Sequence, residues 1–188
     1  MEHRHPLLLE RAHTGLVIID MQERLLAVMP TEERSRVLQN ILLLITLSRE
    51  LHLPLFLTEQ YPKGLGRTIA EITDAVSGVS PLEKLTFSAC QTPAFLETLQ
   101  AAQVHNLILT GIETHICVLQ TALDLCHLGY QVHIPADATC SRQRDNWQIG
   151  LRLMERGGGI VTSTEAVIFQ LLQQAGTAEF KAMLPHLR

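Results

Sequence analysis

Three residues far apart in the chain have the types needed for covalent chemistry: Asp20, Lys84 and Cys117. Asp20 closes the apolar run Gly15-Leu16-Val17-Ile18-Ile19, where an acid is costly to bury without a partner. Lys84 falls near the end of a weaker run, Val79 to Leu85. Cys117 lies in the first turn of a helix that should begin at Thr114, where unpaired N–H groups and the helix dipole lower a thiol's pKa. A thiol nucleophile needs a base to take its proton and a positive charge beside it, and an acid and a lysine supply both. Each residue also has a plain structural reading. Asp20 could cap the next segment, Lys84 could be a solvated surface residue, and Cys117 could be a small buried hydrophobe.

Whether the three meet depends on the elements that carry them. Gly15 to Asp20 reads as a buried strand. Thr31 to Leu51 follows as a helix, with Thr31 as its cap and Val37, Ile41, Leu44, Ile45 and Leu51 on one face. Further strands are expected at Pro54–Thr58, Val79–Leu85, Asn106–Thr110, Gln131–Ile134 and Ile160–Thr162, with Val79–Leu85 weak and at a sheet edge. Helices are expected from Thr92-Pro93, over Thr114–Leu128 with Ile116, Leu119, Leu123 and Cys126 inward, over Asp145–Arg156, and after Ser163. Six strands alternating with helices predict an α/β single-domain three-layer sandwich: a six-stranded, mostly parallel sheet with helices on both faces. The domain is expected to span residues 1–188, with 1–13 and 176–188 as peripheral tails. In such sheets, sites form at the carboxyl ends of strands, and Asp20, Lys84 and Cys117 all fall there.

Composition narrows the function. The chain has 188 residues, 15 Lys plus Arg against 19 Asp plus Glu, and no run of like charges, so no basic surface for nucleic acid is expected. Its most apolar stretch, Ile41 to Leu57, is broken by Ser48, Arg49, Glu50, His52 and Pro54, which excludes a membrane span there. The first residues lack the apolar core of a signal peptide. The four cysteines, Cys90, Cys117, Cys126 and Cys140, form no CxxC pair and read as reduced thiols of a cytoplasmic protein.

At three places the chain resembles the isochorismatase-like cysteine hydrolases: Leu16-Val17-Ile18-Ile19-Asp20-Met21-Gln22, Lys84-Leu85-Thr86-Phe87-Ser88, and Gly111-Ile112-Glu113-Thr114-His115-Ile116-Cys117-Val118. Thr121-Ala122-Leu123-Asp124-Leu125 and Ala136-Asp137-Ala138 add to the likeness, which covers about residues 14 to 172. The resemblance implies a catalytic triad of Asp20, Lys84 and Cys117. It also implies a cis peptide between Ile112 and Glu113, and an oxyanion hole made by the backbone N–H groups of Glu113 and Cys117. It implies a hydrolysis in which Asp20 takes the thiol proton, Cys117 forms a covalent intermediate on a small amide or carbamoyl-type carbon, and Asp20 then activates water. The family's nicotinamidases hold a metal through an Asp-x-His and a further His after the second strand. Here that region reads Thr58-Glu59-Gln60-Tyr61-Pro62-Lys63-Gly64-Leu65-Gly66, without histidine, so no metal and no cofactor are expected. The likeness is to a small branch of the family without a settled substrate.

Gln22, Gln60, Tyr61, Phe87 and His115 are expected near the substrate from their places at strand ends. His3, His5 and His13 read as a basic N-terminus rather than a metal site. Asp137 and Arg142 are expected to pair, and Trp147 to be core or interface. Leu38, Leu42 and Leu43 lie off the inward face of the first long helix, and Phe180, Met183, Leu184 and Leu187 make an apolar tail. Together they predict a homo-oligomer, unless the tail covers the helix within one chain. Two other readings of the same residues are an inert binding protein that keeps the fold, and a redox role for Cys117, which would need a resolving thiol.

Overall fold

The structure is a computed structural model that describes residues 4–187. Its center is one parallel sheet in the order β3-β2-β1-β4-β5-β7, with a short β6 added beside β4. The strands are β1 (Thr14–Ile19), β2 (Leu55–Gln60), β3 (Leu82–Lys84), β4 (Asn106–Ile112), β5 (Gln131–Pro135), β6 (Thr139–Cys140) and β7 (Ile160–Thr162). β1 and β4 are central and buried at every position, as runs such as Leu16-Val17-Ile18-Ile19 require. β3 is the edge strand, and it is short: Ser80-Pro81 precedes it and only Leu82, Glu83 and Lys84 pair with β2.

The helices are α1 (Glu23–Leu26), α2 (Thr31–Glu50), α3 (Pro62–Leu65), α4 (Ala70–Ala75), α5 (Pro93–Ala101), α6 (Leu119–His127), α7 (Arg144–Arg156), α8 (Thr164–Leu172) and α9 (Ala178–Met183). Side chains of β1 alternate between two cores. Leu16 and Ile18 pack with residues of α2, α4, α8 and α9, while Val17 and Ile19 pack with residues of α5, α6 and α7. The three-layer arrangement follows directly from that alternation.

Several details differ from the sequence reading. A seventh strand is present, because two residues, Thr139 and Cys140, continue the ladder of β4 beyond the end of β5. Two residues are too few for any periodicity. The α2 helix starts at Thr31 behind Pro30, so Thr31 is its first helical residue and not its cap. On α6 the fully buried stripe is Thr121, Ala122 and Leu125, while Leu119, Leu123 and Cys126 are half-buried on the flank. Leu123 faces α7 there, its Cδ2 lying where a Cβ on Gly157 would sit. The ends of the chain are tied in. Arg4 donates to the carbonyls of Leu9 and Gln170, and Leu9 and Met183 are fully buried in the core that holds α2. Leu38, Leu42 and Leu43 are half-buried, with Phe180 and Leu187 packed on the same core. Among the described residues no helix is long and apolar enough to cross a membrane.

Candidate active site

The carboxyl end of the sheet gathers the three chemical residues. Asp20 follows β1 directly, in the left-handed backbone region at φ 51°. Asp is one of the few residues that adopts that conformation readily. Its backbone N–H donates to the Thr58 carbonyl at 3.2 Å, which fixes it to the next strand. One carboxylate oxygen accepts from the Thr58 hydroxyl at 2.6 Å and the other from Lys84 Nζ at 2.7 Å. Both charged side chains are completely buried.

Lys84 ends the edge strand and points its ammonium inward. Besides Asp20 it donates to Gln60 Oε1 at 2.7 Å and to the carbonyls of Phe87 and Thr86 at 3.2 and 3.4 Å. A buried ammonium needs such a set of acceptors to offset its lost hydration. Gln60 and Gln22, expected near the substrate, have their amides engaged with the protein itself. Gln60 Nε2 donates to the Leu85 carbonyl at 2.8 Å. Gln22 donates to the carbonyls of Gln60 and Gly66 and accepts from the Gln60 N–H. Both residues therefore clamp the ends of β1, β2 and β3 around Lys84.

Cys117 lies in a π-helical turn, Thr114–Val118, that leads into α6. The Val118 N–H reaches back five residues to the Glu113 carbonyl. Single π turns of this kind are frequent at functional sites. The Ile112–Glu113 peptide ahead of it is cis. Two glycines admit this turn. A Cβ on Gly111 would lie 2.0 Å from the Ile19 carbonyl oxygen, and one on Gly150 of α7 would lie 3.0 Å from His115 Cα. The thiol is not lowered as its helix position suggested. Burial first, and then the Asp20 carboxylate, push it up to about 12, while Lys84 pulls in the other direction. Cys90 and Cys140 are pushed up to about 12 as well, again by burial above all.

Around these three, the other motif residues find specific partners. Ser88 donates to Asp124 at 2.7 Å and the Ala89 N–H donates to Thr121 Oγ1 at 3.0 Å, so the loop after Lys84 is tied to α6, the helix that follows Cys117. Glu113 binds Arg142 through its backbone N–H at 2.9 Å and its Nε at 3.1 Å. The expected Asp137–Arg142 pair is thus replaced. Asp137 instead accepts from the N–H and hydroxyl of Thr164 at the start of α8. His115 Nδ1 lies 2.9 Å from Ser141 Oγ. Tyr61 and Phe87 are exposed, and so is Leu85 between them. The Tyr61 N–H donates to the Lys84 carbonyl, which places all three on the rim beside Lys84.

The N-terminal histidines are elsewhere. His3 lies outside the described residues, His5 accepts from the Leu7 N–H, and His13 lies beside His105 with ring centroids 5.3 Å apart and ring planes tilted by 49°. A groove of about 600 Å³ between α2, α8 and the C-terminal segment is lined by none of Asp20, Lys84 and Cys117. Thr58, Gly111, Gly150 and Ser141 are the supporting residues that sequence reasoning did not single out. A polar residue at a strand's end and glycines inside apolar runs are their only signals.

Residues 14–166 match the isochorismatase domain. Isochorismatase domain-containing protein 2A of Mus musculus is 39% identical over 139 residues, which is 73% of this chain and 66% of the mouse protein. The MAR1 ribonuclease structure from Caenorhabditis elegans superposes with a TM-score of 0.88 at 32% identity, over 96% of this chain and 92% of that one. An octameric hydrolase of unknown specificity from Escherichia coli gives a TM-score of 0.89 over 97% of this chain and 92% of its own. At 20% identity it speaks for the fold alone.

Proposed function

This chain belongs to the isochorismatase family, and from that premise we propose that it is a cysteine hydrolase acting on a small amide, carbamoyl or related carbonyl compound through a covalent Cys117 intermediate. The observation that carries the reading is the fully buried Asp20–Lys84 ion pair at the carboxyl end of the sheet, the same end from which the turn after β4 carries Cys117.

The chemistry follows from that arrangement. At neutral pH the resting sulfur keeps its proton, because burial and Asp20 hold the thiol high. Attack is therefore coupled to proton transfer: the S–H proton moves to Asp20 as the sulfur bonds to the substrate carbon. Each oxygen of Asp20 already accepts one hydrogen bond and keeps a lone pair for that proton. The carbonyl electrons move to oxygen, and the backbone N–H groups of Glu113 and Cys117 are the donors assigned to it. Collapse breaks the bond to the leaving group, which takes the proton from Asp20. Water then loses a proton to Asp20 as it attacks the thioester, the acid departs, and the proton returns to sulfur. Lys84 keeps the carboxylate oriented throughout, and Gln60 and Gln22 keep Lys84 in place. Tyr61, Phe87 and His115 remain the candidates for contact with the substrate.

The raised thiol favors one rival reading, an inert protein that binds through the same fold. Alkylation separates the two. Cys90, Cys117 and Cys140 share the same high thiol range, and Cys126 is the less buried reference. Selective labeling of Cys117 at neutral pH supports activation by its partners, and labeling no faster than that of Cys90 and Cys140 supports the inert protein. A ribonuclease activity, the one named for the nematode structure, finds no support in a chain with 15 basic against 19 acidic residues and no run of like charges. The chain is further proposed to form a homo-oligomer through the apolar surface left by Phe169 and Leu184, both exposed.

A further inference from the structure

We propose that a cleft of about 200 Å³, lined by Arg36, Arg144, Ser141 and Trp147, binds a small monocarboxylate and passes its occupancy to the nucleophile turn. The cleft lies beside β6, which pairs with β4 at Ile112 and Cys140, whereas Asp20 follows β1 on the other side of β4. It is therefore a second site, on the opposite flank of the strand that leads to Cys117. Its existence does not depend on the hydrolase reading.

The lining defines the ligand. Two guanidinium groups and one carboxylate, Glu33, face the cleft, which leaves a single positive charge to be met. Arg36 uses one amino group on Glu33 and lays its guanidinium over Trp147, 5.8 Å from the ring centroid. Its remaining N–H groups are open to a second acceptor. Arg144 takes part in no ion pair among the described residues. Guanidinium forks match the two oxygens of a carboxylate, which a lysine or a hydroxyl alone does not. The Trp147 indole donates to the Ala136 carbonyl at 3.2 Å, so the aromatic wall is fixed in place. A volume below that of ordinary drug-sized pockets limits the ligand to a carboxylate on a small, flat apolar body.

Ser141 links this cleft to the reaction. It is buried, lines the cleft, and holds His115 Nδ1 at 2.9 Å. A serine hydroxyl has one proton to give. When a bound carboxylate accepts a hydrogen bond from it, the serine oxygen is left to accept from His115, which must then carry its hydrogen on Nδ1. His115 stands two residues before Cys117, with its backbone pressed against Gly150 of α7. A change in its hydrogen bonding is thus delivered to the nucleophile turn.

Trp147 is the chain's one tryptophan, so its fluorescence reads the cleft without a label. The full chain is titrated with benzoate and, separately, with benzamide, its uncharged counterpart. Benzoate is expected to give a saturable change and benzamide none. Arg144→Gln and Arg36→Gln, both at solvent-accessible positions, are each expected to weaken benzoate about tenfold, which equals ~1.4 kcal/mol. The rate of Cys117 alkylation by iodoacetamide is then measured with and without saturating benzoate. A change of about fivefold is expected, in the usual range for coupled sites. In Arg144→Gln it should need about tenfold more benzoate to appear, and in Ser141→Ala it should vanish while benzoate still alters Trp147. Equal responses to benzoate and benzamide, or no saturable response, would overturn the site. An unchanged alkylation rate with binding intact would overturn the link to Cys117.

Discussion

Asp20 and Lys84 form an ion pair at 2.7 Å with neither side chain exposed to solvent. Removing one partner from such a pair leaves a buried charge, which typically costs ~3–5 kcal/mol. Lys84→Met should therefore lower stability severely. Asp20→Asn is the cleaner test, because Asn also tolerates the backbone at φ 51°, its one amide oxygen can still accept from Lys84, and its NH2 can donate to the Thr58 hydroxyl. It should fold, with some loss of stability, and lose turnover by roughly a thousandfold for want of a base. Circular dichroism with a rate measurement on the same sample checks both.

Gly111→Ala should be among the most damaging single changes. Its Cβ would fall 2.0 Å from the Ile19 carbonyl oxygen, at φ 108°, in the middle of the sheet. Backbone cannot yield there as a flexible side chain would, so a loss of ~4 kcal/mol or more is expected in urea unfolding. A variant of wild-type stability would mean that the β1–β4 contact is looser than described.

His133 should make stability fall with acidity. It is fully buried on β5, accepts from the Gln131 amide, and has its Nδ1 without a partner among the described residues. Burial lowers its pKa from 6.5 to about 4. Between these values the unfolded chain binds a proton that the folded chain does not. Folding stability is thus full above pH 6.5 and declines as pH falls toward 4, by about 3 kcal/mol for this group. Unfolding curves of the wild type and His133→Leu across that window check it: the variant should have the flatter profile.

Sedimentation at micromolar concentration addresses assembly. A dimer or larger species is expected from the exposed Phe169 and Leu184. A species of 21.0 kDa would mean that packing of Phe180 and Leu187 near Leu38, Leu42 and Leu43 is enough cover within one chain.

What could be read from the sequence was set by how local each signal is. Leu16-Val17-Ile18-Ile19-Asp20 marks a buried strand and its end from neighbors alone, and the same holds for Asn106 to Thr110 and for Ile41, Leu44 and Ile45 on α2. The two-residue β6 and the one-turn α1 and α3 have no period to detect. The π turn at Cys117 is a backbone pattern that side-chain types do not record. Cys117 shows how position misleads: the start of a helix suggested a lowered thiol, but depth of burial decides its direction. Gln22 and Gln60 were placed at the right strand ends, yet an amide that binds a ligand and one that clamps a loop have the same sequence signal. Glu113, not Asp137, pairs with Arg142, because β6 pairs Cys140 with Ile112 and so brings residues 29 apart into contact.

The central claim is that Cys117 is acylated during turnover, and intact-protein mass spectrometry tests it most directly. The chain is mixed with a panel of small activated esters and amides and quenched in acid within seconds. The account predicts an added acyl mass on the peptide containing Cys117. It should disappear in Cys117→Ser and form more slowly in Asp20→Asn. Hydrolysis of any of these compounds at wild-type rates by Cys117→Ser, with no adduct at any time, would contradict it.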